Sequence, residues 1–584
     1  MRDRRALAAL VSVALLCLSS AIGAGIEEQR PSQRPSNLPA TGPGGKPPDT
    51  VFLEDLTWAE VRDLVAAGTT SVIVGTAGTE QKGPHMVDGE HRFVMEYAAN
   101  RIARGVGRTL VAPVITYVPE GSWDTVGGHM GKPGTITLPE DRFVELLVNT
   151  GRSLKAGGFT TVLFLGESGG NRGGMRAAAE ELNALWGDTA RALWIDDYYT
   201  KSHADQRAYI TSTLGIPANE IGNHANIQDT SEMLFVNPAH VRRNKIAAGG
   251  GYANSGVSGD PTKATAELGK AFVQIKIDNA VAQIKGLMSG TLQSAPATEP
   301  ARGAGGGRGA GRGQGRGGRA GQAAPSGPRP PTAETAPAGI SPNAPPDTVF
   351  IDELTWEETR DAIKAGTKTV IVPTGGTEKN GYHMILGKHN YIVTHAANLM
   401  ARKIGRTLVA PTIQYVPEGS PDRAAPGVIS HPSPDFDLLL DAAARSLAAH
   451  GFTEILFIGD SGGNQAGMVS IADTLNAEWK DRGIRVFALT DYYEQGRIDY
   501  RAWMKAAHGF DDEIVGSHAG ISDTSQLLHV RPEGIRRGML RPWGGPRDSG
   551  VSGDPSKATA AIGRAGIDFK INAGIRQYKA MKGR

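Results

Sequence analysis

A chain of 584 residues with 62 Lys and Arg against 60 Asp and Glu has a formal net charge of +2, too balanced for a protein built to bind nucleic acid. With 40% hydrophobic and 21% charged residues it has the make-up of a soluble globular protein, and its length exceeds one ordinary core, so at least two domains are expected. Its single cysteine, Cys17, excludes a disulfide framework and a cysteine-ligated metal.

Arg2, Arg4 and Arg5 precede an apolar run at 6–18, and small residues follow, which is the layout of a secretory signal peptide over 1–24. The run is shorter than the roughly 20 residues that cross a bilayer. Export to the periplasm or medium is therefore expected, with no membrane attachment after cleavage. Residues 25–48, rich in Pro, Gly and polar side chains, read as a disordered lead-in.

From residue 49 short apolar runs alternate with helical patterns: strands at 71–74, 109–111, 161–165 and 192–195, and helices near 92–104, 139–156 and 173–185. Such alternation predicts a mostly parallel sheet with helices on both faces. Asp260-Pro261 reads as a cap and first turn of a closing helix. The whole pattern then recurs. Pro47-Pro48-Asp49-Thr50-Val51-Phe52 returns 298 residues later at 345–350, Tyr117-Val118-Pro119-Glu120-Gly121-Ser122 returns at 415–420, and Asp197-Tyr198-Tyr199 at 491–493. Two domains, 49–288 and 345–584, are expected, the second about five residues shorter after Ser420.

The 289–344 stretch between them is Gly-, Pro- and Arg-rich. It reads as a disordered tether of roughly 40 Å, rather than a segment that contacts an anionic surface. The domains would pack on each other or assemble as a homo-oligomer.

Three clusters repeat in order and can carry chemistry. The first, on a Gly-rich loop past the opening strand, holds Glu80, His85 and His91, matched by Glu378, His383 and His389. Open α/β sheets place their active sites there. The second is Gly166-Glu167-Ser168-Gly169-Gly170-Asn171 against Gly459-Asp460-Ser461-Gly462-Gly463-Asn464. An acid at the tip of a buried strand is costly unless a metal or an imidazolium meets it. The third pairs His224 and Asp229 with His518 and Asp523. Its Asp-Thr-Ser is also a helix N-cap signal, which leaves the histidine five residues upstream unexplained.

In these clusters the chain resembles two divergent tandem copies of the creatininase (creatinine amidohydrolase) family. That family shows Gly-Ser/Thr-x-Glu-Gln-His-Gly-Pro-His, Asn-Gly-His-Gly-Gly-Asn, Gly-His-Ala-Gly-x-x-Glu-Thr-Ser and a late Gly-Val-x-Gly-Asp-Pro. The resemblance implies an α/β fold of two three-layer α/β/α sandwiches with mostly parallel sheets, homo-oligomers, and a hydrolase with two divalent ions. The chain departs from the family at the ligands. Lys82 and Asn380 replace the first His, His91 and His389 the bridging Asp, and Ser168 and Ser461 the His of Asn-Gly-His.

An ammonium at Lys82 would repel a second cation. The expectation is therefore one ion (Zn, Mn or Fe) per domain, held by Glu80, His91 and Glu167 and by Glu378, His389 and Asp460. His85 and His383 would stand behind them, while His224, Asp229, His518 and Asp523 would move protons or orient a small-molecule substrate. The reaction expected is hydrolysis of an amide or cyclic amide C–N bond. One alternative is a serine hydrolase using Ser168 (or Ser461) in G-x-S-x-G, with Asp197 and His224 following in triad order. The other is a non-catalytic scaffold, for which the second copy is the better candidate.

Overall fold

The computed structural model describes residues 48–293, 347–545 and 549–583. The expected signal peptide at 1–24, the expected lead-in before residue 48 and the Gly- and Arg-rich stretch from 294 to 346 lie outside them. Each half is built on four parallel strands. In the first half these are β1 (Ser71–Thr76), β2 (Thr109–Val111), β5 (Thr161–Gly166) and β6 (Arg191–Trp194), in the order β2-β1-β5-β6. The second half repeats this with β7 (Thr369–Thr374), β8 (Thr407–Val409), β9 (Glu454–Gly459) and β10 (Arg485–Ala488), in the order β10-β9-β7-β8. A hairpin of two short strands, β3 (Gly121–Ser122) and β4 (Gly127–Gly128), occurs in the first half, in the loop that the second half shortens.

The central strands are covered on both faces, which is why they read as continuous apolar runs rather than alternating ones. In β1 and β5 the side chains of Ile73, Leu163 and Leu165 face the helices Glu90–Val106 and Ala266–Ser289. Val72, Val74, Val162 and Phe164 face the other way, into a core that also contains Val370, Val372, Ile455 and Phe457 of the second half. The inner layers of the two sandwiches are thus one hydrophobic body.

Their contacts are reciprocal, in the manner of a two-fold dimer interface. Tyr117 Oη donates to Pro411 O, and its counterpart Tyr415 to Pro113 O. Asp88 N donates to Leu354 O and Leu386 N to Leu56 O, both at 2.8 Å. Arg242 is paired with Glu358 and Arg536 with Glu60, both at 2.7 Å.

The expected helices match to within about two residues at each end, except for the closing one. Asp260 caps a short turn, Pro261–Lys263, by accepting from Thr262 N at 2.9 Å. The long helix starts at Ala266 instead, with Thr265 as its N-cap.

Candidate functional site

The loop between β1 and the Glu90–Val106 helix carries the first cluster beyond the carboxyl end of the strand. Its course depends on Gly78, because a Cβ there would lie 2.2 Å from Glu120 Oε1; at Gly376 the corresponding clash with Glu418 is 2.1 Å. The close approach sets Glu120 beside Glu80. Burial, with Glu80 adding to it, pushes the Glu120 pKa well above the carboxylate range, so Glu120 keeps its proton.

Glu80 is buried and sits among cations. His91 Nε2 lies 2.8 Å and Lys82 Nζ 3.1 Å from its Oε1. Burial alone would raise its pKa, but His129, Lys82 and His91 outweigh this and hold it well below the usual range. Its Oε2 lies 3.1 Å from His129 Nε2, and the protonated Glu120 stands against the same carboxylate. His224 Nδ1 lies 3.9 Å from Oε1. Glu80, His129 and His224 thereby bring one carboxylate oxygen and two ring nitrogens within 4.8 Å of one another. Burial, with Lys82 next, lowers the His224 pKa to about 4, so the ring is neutral at physiological pH. Its Nε2 lies 2.8 Å from Gln81 O. The amide Nε2 of Gln81 lies 3.0 Å from the same ring nitrogen, so an acceptor and a donor both meet Nε2, while Nδ1 is the nitrogen on the Glu80 side. The side chains of His129 and His224 are 33% and 18% exposed, so this face of the site is open to a substrate.

The trio expected from the sequence does not converge. Glu80 and His91 are bonded, but the ring's other nitrogen lies 3.1 Å from Glu90 Oε2. Glu167 instead accepts from Tyr198 and Lys276, and Lys276 also bonds Glu232 at 2.6 Å. The positive group that meets the buried acid is thus an ammonium from the closing helix. In the second half Glu378, His389 and Asp460 do meet, with His389 Nε2 and Nδ1 each 2.7 Å from a carboxylate oxygen. That imidazole bridges two acids and is itself the cation between them. Lys570 occupies the place of Lys276, 2.7 Å from Asp460.

A pair of metal ions, as the family resemblance implies, does not fit either half. Lys82 Nζ lies 3.1 to 3.4 Å from Glu80, Glu90 and Asp229. In the second half position 380 is Asn, yet Lys388 Nζ lies 3.2 Å from Glu378 and 3.1 Å from Asp523. Lys388 stands where the first half has Glu90. Two different sequence positions deliver an ammonium to the same place between the loop glutamate and the helix aspartate. The first half keeps a separate ligand cluster on the outer side of Glu80. The second has no counterpart of His129, because the loop that carries it is shortened.

The other expected residues have positioning roles. Asp229 Oδ2 accepts from Ala225 N at 2.7 Å and Asp523 from Ala519 N at 2.7 Å, each holding a non-glycine residue at positive φ beside His224 or His518. His85 bonds Thr230 Oγ1 at 2.8 Å and His383 bonds Thr524 at 2.9 Å, tying each loop to its helix rather than facing Glu80 or Glu378. His518 bonds Gly550 O at 2.7 Å and lies 3.3 Å from Glu378. Ser168 Oγ accepts from Gly170 N at 3.3 Å, a turn cap, and among the described residues no hydrogen bond joins it or Ser461 to a histidine.

The buried imidazoles set a pH optimum for stability. Burial lowers the pKa values of His85, His383 and His450 to about 4 and that of His240 to about 3. The unfolded chain therefore binds more protons below about pH 6.5, and stability falls as pH drops through that window. At His389 burial and Lys388 pull the other way, but Glu378 and Asp460 prevail and raise its pKa to about 9. Its contribution, on the order of 3 kcal/mol, is complete below pH ~6.5 and lost as pH rises to ~9. At His91 burial and Lys82 are likewise outweighed by Glu90 and Glu80, which raise its pKa to about 9, so it contributes over the same window. Denaturant melts across pH 4 to 10 should therefore peak near pH 6.5 to 7, and His389→Gln should remove about half of the alkaline limb.

Carboxylate and imidazole groups gathered past the carboxyl ends of parallel strands define an α/β protein with a metal-ligand pocket. The chain belongs to the creatininase family: the family model, described as creatinine amidohydrolase, matches residues 54–284 and again 352–576. The chain is 25% identical over 195 residues to the creatinine amidohydrolase of Pseudomonas putida, covering 32% of this chain and 73% of that protein. It is 27% identical over 232 residues to the mycofactocin precursor peptide peptidase of Mycobacterium tuberculosis, covering 35% of this chain and 82% of the relative. A crystal structure of creatinine amidohydrolase (creatininase) overlays 41% of this chain and 98% of its own at 21% identity, with a TM-score of 0.34.

Proposed function

We propose that the chain is a hydrolase that cleaves an amide or cyclic amide C–N bond in its first half, with one divalent ion held by Glu80, His129 and His224. The observation that carries this is the convergence of a Glu80 carboxylate oxygen with one ring nitrogen each of His129 and His224, all within 4.8 Å of one another at an open mouth. The names of the relatives, an amidohydrolase and a peptidase, supply the bond class. Imidazole and carboxylate donors suit Zn, Mn or Fe. When bound, such an ion would polarise the scissile carbonyl and acidify a water. Around it, Lys82 and the imidazolium of His91 fix Glu80 from the inner side, the Glu120 proton backs its carboxylate, and Asp229 holds the turn that aims His224. The leader-like segment at 1–24 supports placing this activity outside the cytoplasm.

The test is metal analysis of the full chain after dialysis against Zn or Mn, alongside hydrolysis of an amide and lactam panel. Wild type should retain about one equivalent and His224→Ala only a small fraction of it. Wild-type protein holding no more metal than His224→Ala would end the proposal.

A further inference from the structure

The corresponding pocket of the second half encloses about 120 Å³ and is lined by a different balance of charge. Three carboxylates, Glu378, Asp460 and Asp523, face five cationic side chains, Lys388, Lys570, His389, Arg497 and Arg501, a surplus of two positive charges. His389 counts among the cations because both ring nitrogens meet carboxylates, so both must donate. Relative to the first half the surplus has three sources. The pair Lys82 and Glu90 has become Asn380 and Lys388, which keeps the ammonium and deletes an acid; Glu232, which bonds Lys276, has become Gln526; and His203 has become Arg497.

Lys388, Lys570 and His389 are matched by the three acids, and Arg501 is tied to Asp512 at 2.9 Å. Arg497 donates to Tyr493 Oη at 3.1 Å, and among the described residues no carboxylate lies within ion-pair distance of it. Two further groups face the cavity. The Ile521–Val530 helix begins there with Gly520 as N-cap and no capping side chain, whereas in the first half Asn226 accepts from Gln228 N and Asp229 N. Gln526 is 99% buried in the same wall; its Nε2 donates to Ser522 O, but its Oε1 has no partner. An open helix N-terminus and an unmatched guanidinium attract an anion, and an orphaned carbonyl oxygen accepts from a hydroxyl or amino group.

We propose that the second half binds a small carboxylate bearing a hydroxyl or amino donor, in a pocket where the Lys388 ammonium stands in place of a metal ion. The carboxylate would lie between Arg497 and the backbone N–H groups at Ser522 and Asp523, and the donor would reach Gln526 Oε1. The cavity admits only a few non-hydrogen atoms, so glycolate is a suitable probe and acetate its donor-free control.

Isothermal titration of the full chain should show one glycolate site, at least tenfold tighter than acetate. Arg497→Gln should weaken glycolate at least tenfold, and Gln526→Leu should erase the preference over acetate. Glu80→Gln should leave glycolate binding intact, which separates this pocket from the proposed metal site of the first half. In parallel, Mn uptake should be the same in wild type and Glu378→Gln. The proposal is overturned if glycolate does not bind, if binding survives Arg497→Gln unchanged, if it vanishes in Glu80→Gln, or if Glu378→Gln removes one equivalent of Mn. Unchanged far-ultraviolet circular dichroism of each variant guards against misfolding.

Discussion

Under the proposed function, Glu80→Gln is expected to lose the divalent ion and to abolish amide hydrolysis, while the chain stays folded. Glu80 supplies the one buried carboxylate of the outer cluster, and its charge is what draws His129, Lys82 and His91 toward it. A neutral amide would leave the Lys82 ammonium with Glu90 and Asp229 for partners, so the inner side of the site stays paired. The outer side would retain only two imidazoles. Loss of an outer partner of a metal ligand already costs about 10 to 100-fold in affinity or activity. Removing a ligand should exceed that, so kcat/KM is expected to fall by more than about 100-fold in both Glu80→Gln and His129→Ala. Metal content and hydrolysis measured on the same preparations check this. His129→Ala retaining both would move the site elsewhere.

The largest expected loss of stability comes from Arg242→Ala combined with Arg536→Ala. Each guanidinium is nearly buried, with 9% and 6% of its side chain exposed, and meets a glutamate of the opposite half. Arg536 lies 2.7 and 2.9 Å from the Glu60 oxygens and also donates to Asp55 O. Arg242 bonds Glu358 and Glu353 O in the same way. Those glutamates also close the capping boxes on Thr57 and Thr355. Removing one partner of a buried pair costs about 3 to 5 kcal/mol. With Glu60 and Glu358 17% and 18% exposed, the lower figure applies to each. The sites share no partner, so the double variant should lose about 6 kcal/mol. Denaturant unfolding reads the loss, and single variants should show about half of it.

The strands and most helices were legible because burial on both faces makes the strands of each half uninterrupted apolar runs, and because the pattern occurs twice; the order of the strands across the sheet was not. The loop glutamates and His224 were legible as repeated polar residues at strand and loop ends. His129 was not, since it stands alone in a loop that the second copy shortens. Lys276 and Lys570 lie within amphipathic closing helices, where a lysine ordinarily faces water. Their identical placement in the two copies, like that of Tyr198 and Tyr492, was the available signal. The exchange of Lys82 with Glu90 for Asn380 with Lys388 could not be read by aligning positions, because the ammonium is preserved in space and not in register.

The first site is braced by backbone that belongs to the second half: Asp88 N and Gly89 N, just before the helix that carries His91, donate to Leu354 O and Asp352 O. In a pair of identical subunits every substitution alters both active sites at once, so neither can lose its chemistry alone. Joining the subunits in one polypeptide lifts that constraint. Under the proposal that only the first half holds an ion, the second must still be retained whole, since discarding it would leave the loop of the first site without its other wall.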